Sequence, residues 1–188
     1  QPGRAPSGAD DGDPTALLPA TQRPEPIGKF ANLAESPDGR IWAGRNLITF
    51  QDGRKWNIFA PAPELRLGVI ETMFTDRQTN LWIGTRQFGA TRFDGREWRR
   101  FQGKDSLVAN SVRAIAQTAD GSIWAATDRG ISRFDGHGWT PDLLPRQLAV
   151  PHDGGGLKGA ASGDLWINRF PPEWTRRAWP KAPPGEAS

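Results

Sequence analysis

A glycine-rich stretch in the last third of the chain has residue types that could support ester hydrolysis. His152–Gly156 reads His-Asp-Gly-Gly-Gly, which is similar to the loop that forms the oxyanion hole of some esterases. That chemistry also needs a serine in a Gly-x-Ser-x-Gly turn, and the chain has no such sequence. Lys158 is followed by Gly159, where a phosphate-binding loop needs serine or threonine. We therefore predict a glycine-rich connection here, with neither hydrolase nor nucleotide-binding function.

Few residues are available for binding a metal ion. The chain has no cysteine, and its histidines are His137 and His152, which argues against the thiolate and histidine-rich sites of zinc proteins. Asp76, Gln78 and Asn80 alternate like the ligands of a calcium loop, but the glycine and bidentate glutamate needed further on are missing. The same spacing is typical of a polar hairpin turn. We predict a turn, and neither metal nor cofactor.

Paired carboxylates are a further way to carry out catalysis. A glycosidase needs two carboxyl groups on either side of the scissile bond. Glu97 and Asp105 lie in predicted turn or strand-edge positions, and neither has a partner that recurs along the chain. The sequence therefore predicts that the protein is not an enzyme, and it identifies no small-molecule substrate.

The C-terminal segment 174–181 alternates tryptophan with cations and departs from the rest of the chain. Tryptophan and arginine are enriched at the centres of protein interfaces, and aromatic and basic residues also anchor proteins at membrane surfaces. We predict that this segment docks on other protein subunits or on a membrane surface; packing of its tryptophans on the last repeat is the alternative. The predicted docking residues are Trp174, Arg176, Arg177, Trp179 and Lys181.

The composition favours a small β-rich protein. The 188 residues include 22 glycines and 17 prolines, which interrupt the chain at short intervals, with 9 tryptophans and 9 phenylalanines. The formal net charge of +3 comes from 24 basic and 21 acidic residues that are scattered along the chain, so no nucleic-acid partner is expected. No apolar run approaches the roughly 20 residues of a transmembrane helix.

The strongest pattern is a repeat with a period of 40 to 42 residues. Its first tryptophan recurs at Trp42, Trp82, Trp124 and Trp166. A unit of this size cannot bury two apolar faces by itself, so neighbouring units must stack. Because large aromatic side chains prefer burial, we predict that these four tryptophans form the core between the units.

Asp-Gly pairs separate the short aromatic segments within the units, at residues 38–39, 52–53, 94–95, 120–121 and 135–136. This dipeptide supplies the positive φ angles of a tight hairpin, so each unit is predicted to be a small antiparallel sheet. A radial array of such sheets is a β-propeller. The fold prediction is therefore an all-β, propeller-like array of about four blades, the fourth degenerate. Closed propellers have about 4 to 8 blades, so a closed ring and an open arc are both retained.

The predicted organisation is one repeat domain between two irregular tails. Residues 1–26 and 180–188 are rich in proline and glycine and lack the apolar residues of a core. The repeat domain covers 27–179, with units at about 27–67, 68–108, 109–150 and 151–179.

Two units resemble a known repeat family. Residues 76–95 and 120–136 follow a pattern similar to D-x-x-G-x-L-W-I-G-T-x-x-G-L-x-R-F-D-G, that of the two-component regulator propeller repeat. The resemblance covers roughly residues 28–175. It implies a β-propeller, and in that family such repeats look like extracytoplasmic ligand-sensing domains of membrane-anchored signalling proteins.

Two functional hypotheses follow. The first is a non-enzymatic binding or scaffolding module, an accessory subunit held in a larger extracytoplasmic or membrane-associated assembly through its tails and the segment 174–181. The second, implied by the resemblance, is a ligand-sensing propeller fragment of a membrane-anchored two-component signalling protein. Both hypotheses place the chain in an extracytoplasmic compartment such as the periplasm.

Overall fold

The computed structural model describes most of the predicted repeat domain. The predicted tails, and all of the glycine-rich stretch except its last residue, lie outside the described residues. The described ranges are 32–44, 46–53, 55–61, 63–103, 107–141, 156–169 and 173–177.

The described strands form four antiparallel sheets, in which neighbours in sequence are hydrogen-bonded. Sheet 1 contains β1 (Asn32–Glu35), β2 (Ile41–Gly44), β3 (Ile48–Asp52) and β4 (Lys55–Ile58). Sheet 2 contains β5 (Ile70–Thr75), β6 (Leu81–Thr85), β7 (Ala90–Phe93) and β8 (Trp98–Phe101). Sheet 3 contains β9 (Val112–Gln117), β10 (Ile123–Thr127), β11 (Gly130–Phe134) and β12 (Trp139–Thr140). Sheet 4 contains β13 (Leu157–Gly159), β14 (Leu165–Arg169) and β15 (Glu173–Arg177). Within these ranges the helical structure is a single 3₁₀ turn, Pro63–Leu65.

The first strand of each sheet lies beside the first strand of the next. β1 packs against β5, β5 against β9, and β9 against β13, which is the arrangement of inner strands around a propeller axis. The last of these contacts is close: a Cβ atom added at Gly159 would meet the carbonyl oxygen of Gln117 at 1.9 Å. Among the described strands, β13 and β1 do not pack extensively against each other. The predicted all-β propeller-like array is confirmed, and closure of the ring is not seen.

The apolar core lies between successive sheets. Trp42 of sheet 1 packs on Phe93 and Trp98 of sheet 2, with ring centroids 6.4 and 5.6 Å apart. Trp82 of sheet 2 packs in the same way on sheet 3, on the rings of Phe134 and Trp139. Each of these tryptophans therefore covers the third and fourth strands of the sheet that follows.

At the interface between sheets 3 and 4, the tryptophan again packs on the following sheet, but its partners there are aliphatic. Trp124 of sheet 3 shares a buried cluster with Leu165 and Ile167 of sheet 4. Trp42, Trp82 and Trp124 have at most 2% of their surface exposed. Trp166, at the same register in sheet 4, is only half-buried. The structure therefore differs from the prediction at Trp166, because no described sheet follows sheet 4.

All five predicted Asp-Gly turns are formed. The glycine of each pair has a φ angle between +64° and +103°, a region that other residues rarely adopt. In two of the turns, the Asp94 and Asp135 carboxylates each accept backbone N–H hydrogen bonds from the residues two and three positions later, at 2.9 Å. The carboxylate thus replaces a backbone acceptor within the turn.

These hydrogen bonds predict a loss of stability in acid. They hold the pKa of Asp94 and of Asp135 below the ordinary value, because the backbone N–H groups favour the charged carboxylate. A lowered folded-state pKa stabilises the protein at neutral pH, and this contribution is lost as the pH falls below about 4. The double variant Asp94→Asn/Asp135→Asn should therefore differ from the natural chain in its free energy of unfolding at pH 7 and converge with it in acid.

Urea unfolding at a series of pH values measures this difference. The control is Asp128→Asn, at an exposed carboxylate outside these turns, which should leave the shape of the pH profile unchanged. If the free energy of unfolding of the double variant were lowered equally at neutral and acid pH, the stabilising role of the charged Asp94 and Asp135 carboxylates would be contradicted.

Candidate functional site

The residues considered for calcium binding serve the turn between β5 and β6. Asp76 is buried, and its Oδ2 accepts hydrogen bonds of 2.8 Å from Asn80 Nδ2 and from the indole Nε1 of Trp82. Its Oδ1 accepts the backbone N–H of Asn80, also at 2.8 Å. The carboxylate is therefore engaged by its own hairpin. In the described part of the chain, no group of three or more His, Cys, Asp or Glu side chains could hold a metal ion.

The acceptor for the tryptophan N–H recurs in the first three sheets. Ser36 Oγ accepts from Trp42 Nε1 at 2.8 Å, and Thr118 Oγ1 accepts from Trp124 Nε1 at 2.9 Å. In each case the acceptor lies six residues before the tryptophan. Sheet 4 has Ala160 at this position, which has no side-chain acceptor. Sequence reasoning missed this contact, although the polar residue at a constant spacing was a visible signal.

The two ends of the sheets differ in their connections. The turns described above lie at one end. At the other end, where β5 and β9 begin, lie 86–89, 102–103, 107–111 and 128–129. We call this end the loop face.

Two inner strands are irregular where they begin, at the loop face. Strand pairing skips Glu71 in β5 and Arg113 in β9, where the register shifts after Ile70 and after Val112. Such bulges change the direction of a side chain and are common beside functional sites. Sequence reasoning did not find these positions, because nothing in the repeat distinguishes them.

The bulged residues form an ion cluster with Arg86. Glu71 Oε1 lies 2.6 Å from Arg86 Nε and 3.1 Å from Arg113 Nη1. The side chains of Glu71 and Arg113 are only 18% and 8% exposed, whereas that of Arg86 is 47% exposed. Two guanidinium groups thus share one carboxylate. A charge pair this well shielded is screened little by salt.

A pocket of about 310 Å³ also lies on the loop face. Asn110 helps to shape its wall: the side-chain oxygen accepts the N–H of Gly103, and the backbone carbonyl accepts the N–H of Gly89, both at 2.9 Å. Ser111 Oγ, also in the lining, is buried without a hydrogen-bond partner among the described residues. Asp128 and Arg129 are exposed lining residues of opposite charge. The pocket can therefore offer hydrogen bonds and charge to a small polar molecule.

Part of the predicted docking segment belongs to sheet 4. Trp174, Arg176 and Arg177 lie on β15, which pairs with β14, whereas Trp179 and Lys181 lie outside the described residues. The expectation that the segment departs from the repeat is wrong for β15.

The register shows how β15 follows the repeat. Arg176 pairs with Trp166 as Arg92 pairs with Trp82, and the Arg92 guanidinium lies 5.9 Å from the centre of the Trp82 ring. Arg133 has the same place opposite Trp124, at 5.8 Å from its ring. Sheets 2, 3 and 4 thus pair an arginine with the tryptophan, whereas sheet 1 pairs Phe50 with Trp42, and β15 is the third strand of its unit.

Comparison with known proteins supports the repeat assignment. The family model described as two component regulator propeller matches residues 106–129, which confirms the resemblance at the unit that contains Trp124. No curated protein matches the chain. In the described ranges, no helix has the length and apolar character needed to cross a membrane.

Solved structures share the fold at low sequence identity. The extracellular domain of the hybrid two component system BT3049 from B. thetaiotaomicron is 19% identical, with a TM-score of 0.59 over 72% of this chain and 20% of that chain. The extracellular domain of the one component system BT4673 from the same organism is 16% identical, with a TM-score of 0.57 over 79% of this chain and 25% of that one.

An enzyme has the same fold. Virginiamycin B lyase from Staphylococcus aureus is 18% identical, with a TM-score of 0.56 over 79% of this chain and 52% of the lyase. The chain thus spans about half of the lyase and a quarter or less of the two extracellular domains. At these identities the likeness establishes the fold alone, and the absence of enzymatic activity stays a prediction.

Proposed function

We propose that the chain is a non-enzymatic binding module of the propeller type that holds a small polar, anionic ligand on its loop face. The observation that carries this proposal is the cluster of Glu71, Arg86 and Arg113 at the loop face, where Glu71 and Arg113 lie at strand bulges. If β5 and β9 served only to build the repeat, regular strand pairing without bulges would be sufficient.

The charge of the region favours an anionic group on the ligand. The guanidinium groups of Arg86 and Arg113 both lie at the Glu71 carboxylate, and exposed Arg129 lines the pocket next to Asp128. Guanidinium groups form strong, directional hydrogen bonds with carboxylates. Asp128 and Ser111 in the lining can accept hydrogen bonds from hydroxyl groups. A hydroxylated carboxylic acid therefore complements the region best.

The pocket volume limits the size of the ligand. About 310 Å³ is at the lower end of ligand pockets. One sugar-sized ring is consequently a more suitable occupant than a polymer segment. A binding module of this kind also agrees with the two extracellular domains of similar fold, which belong to a hybrid two component system and a one component system and support an extracytoplasmic location.

Titration of the full chain with glucuronate and with glucose tests the proposal, because the two probes share a ring and differ in the carboxylate. We expect NMR shift changes confined to the loop face, and at least about tenfold tighter binding of glucuronate, which corresponds to one charge-assisted hydrogen bond. Arg129→Ala should remove most of this preference. The matched control is Arg96→Ala, at an exposed arginine of a turn on the opposite end.

Three outcomes would contradict the proposal. They are an absence of shifts on the loop face with both probes, equal affinity for the two, and an equal effect of the two arginine variants. The spectra also report turnover, and conversion of either probe would show that the chain is an enzyme.

A docking role for the segment 174–181 is the second candidate function. Among the described strands, β15 is the outermost of its sheet, so one edge of its backbone is available for pairing. Together with Trp179 and Lys181, this edge would attach the chain as an accessory subunit to another protein or to a membrane surface.

Cosedimentation with phosphatidylserine vesicles separates these two docking targets. Attachment to an anionic membrane should weaken steeply with salt, and Trp179→Ala/Lys181→Ala should reduce it, since each basic residue near the surface contributes about 1 kcal/mol. Vesicle binding that neither salt nor this variant changes would exclude the membrane as the target of this segment.

A further inference from the structure

The three interfaces within the chain share one apolar arrangement beside the axis. In each, the tryptophan of one sheet belongs to the same apolar cluster as an aliphatic or methionine side chain on the inner strand of the next sheet. These pairs are Trp42 with Met73, Trp82 with Ile115, and Trp124 with Leu157. The tryptophan face of one sheet and the inner-strand face of the next are therefore complementary surfaces.

Within the described ranges, the first and the fourth sheet each have one of these surfaces with no counterpart packed against it. Leu33 occupies the same position on β1 as Met73 on β5 and Ile115 on β9, because each pairs with the residue that follows the tryptophan of its sheet. The Leu33 side chain is 64% exposed. At the other end, half-buried Trp166 lines an open pocket of about 430 Å³ together with Lys158, Gly159 and Ala160. Among the described residues, and by the rule of the three internal interfaces, Leu33 lacks a tryptophan and Trp166 lacks an aliphatic partner.

The charges beside the two surfaces are also complementary. Glu35 is exposed, and it lies on the same side of β1 as Leu33 because alternate residues of a strand share a face. Lys158 is exposed and pairs directly with Trp166, so both side chains lie on one face of sheet 4. The surface of Leu33 and Glu35 is thus complementary, in both apolar character and charge, to the surface of Trp166 and Lys158.

We propose that a second copy of this chain covers these surfaces, with Trp166 and Lys158 of one copy against Leu33 and Glu35 of the other. The two surfaces do not meet within one molecule in the described structure, since β13 and β1 do not pack extensively. Ala43 and Thr49, on the same side of sheet 1 as Leu33, are already covered, with 1% exposure. The contact between copies is therefore confined to the inner-strand margin of that sheet.

This association is head-to-tail, because each copy uses a different surface. Head-to-tail contacts close into a ring when the rotation between copies permits it. With four sheets in each copy, two copies place eight around one axis, within the range of about 4 to 8 blades in closed propellers. The proposal does not depend on ligand binding at the loop face.

Sedimentation velocity of the full chain over a range of concentrations measures the association. Trp166→Ala should weaken it by about 30-fold, the effect of losing one interface hot spot. Glu35→Lys and Lys158→Glu should each weaken it, and combining them in one chain should restore it, because the pair is then reversed. The matched control Lys55→Glu, at an exposed lysine of β4, should have no effect.

Cysteine cross-linking distinguishes a second copy of the chain from the other end of the same chain as the partner of these surfaces. The natural chain has no cysteine, so every cross-link comes from the introduced residues. A mixture of the Leu33→Cys and Lys158→Cys variants should give a disulfide-linked dimer under mild oxidation, and neither variant alone should do so. A double cysteine variant that cross-links only as a monomer would show that one chain closes its own ring and would overturn the proposal. A chain that stays monomeric at every concentration, or a charge reversal without recovery, would also overturn it.

Discussion

The packing of the buried indole on the second strand of sheets 1, 2 and 3 is the interaction on which the structure depends. Its ring covers the next sheet, as Trp82 covers Phe134 and Trp139, and its N–H is satisfied by a side chain six residues earlier. An uncompensated buried N–H would cost about 1–3 kcal/mol. The acceptor from the preceding turn thus allows the same residue to hold its own hairpin and bind the next sheet.

The arrangement around the axis follows from this contact. The tryptophans of sheets 1, 2 and 3 pack forward onto the next sheet, which places the inner strands side by side and brings their first residues together on the loop face. There the bulges at Glu71 and Arg113 break the regular pairing. The repeat provides a rigid frame, and its local irregularities provide the charged cluster to which we assign binding.

The sequence predicted the parts of this structure that depend on local residues. Asp-Gly pairs specify their own turns, and the spacing of the tryptophans indicated the number of sheets. The charged cluster could not be predicted, because it joins β5 to β9 through a register shift that no local pattern shows. The exposure of Trp166 was missed for a related reason: its environment depends on a neighbouring sheet, whereas its sequence context resembles that of the buried tryptophans.

Hydrogen exchange of the indole N–H groups, resolved by NMR, tests the central role of these tryptophans most directly. The N–H groups of Trp42, Trp82 and Trp124 are buried and hydrogen-bonded, so they should exchange only through global or sub-global unfolding. Trp166 should exchange much faster at protein concentrations that keep the chain monomeric. Rapid exchange at the first three positions, or protection of Trp166 equal to theirs, would contradict the account.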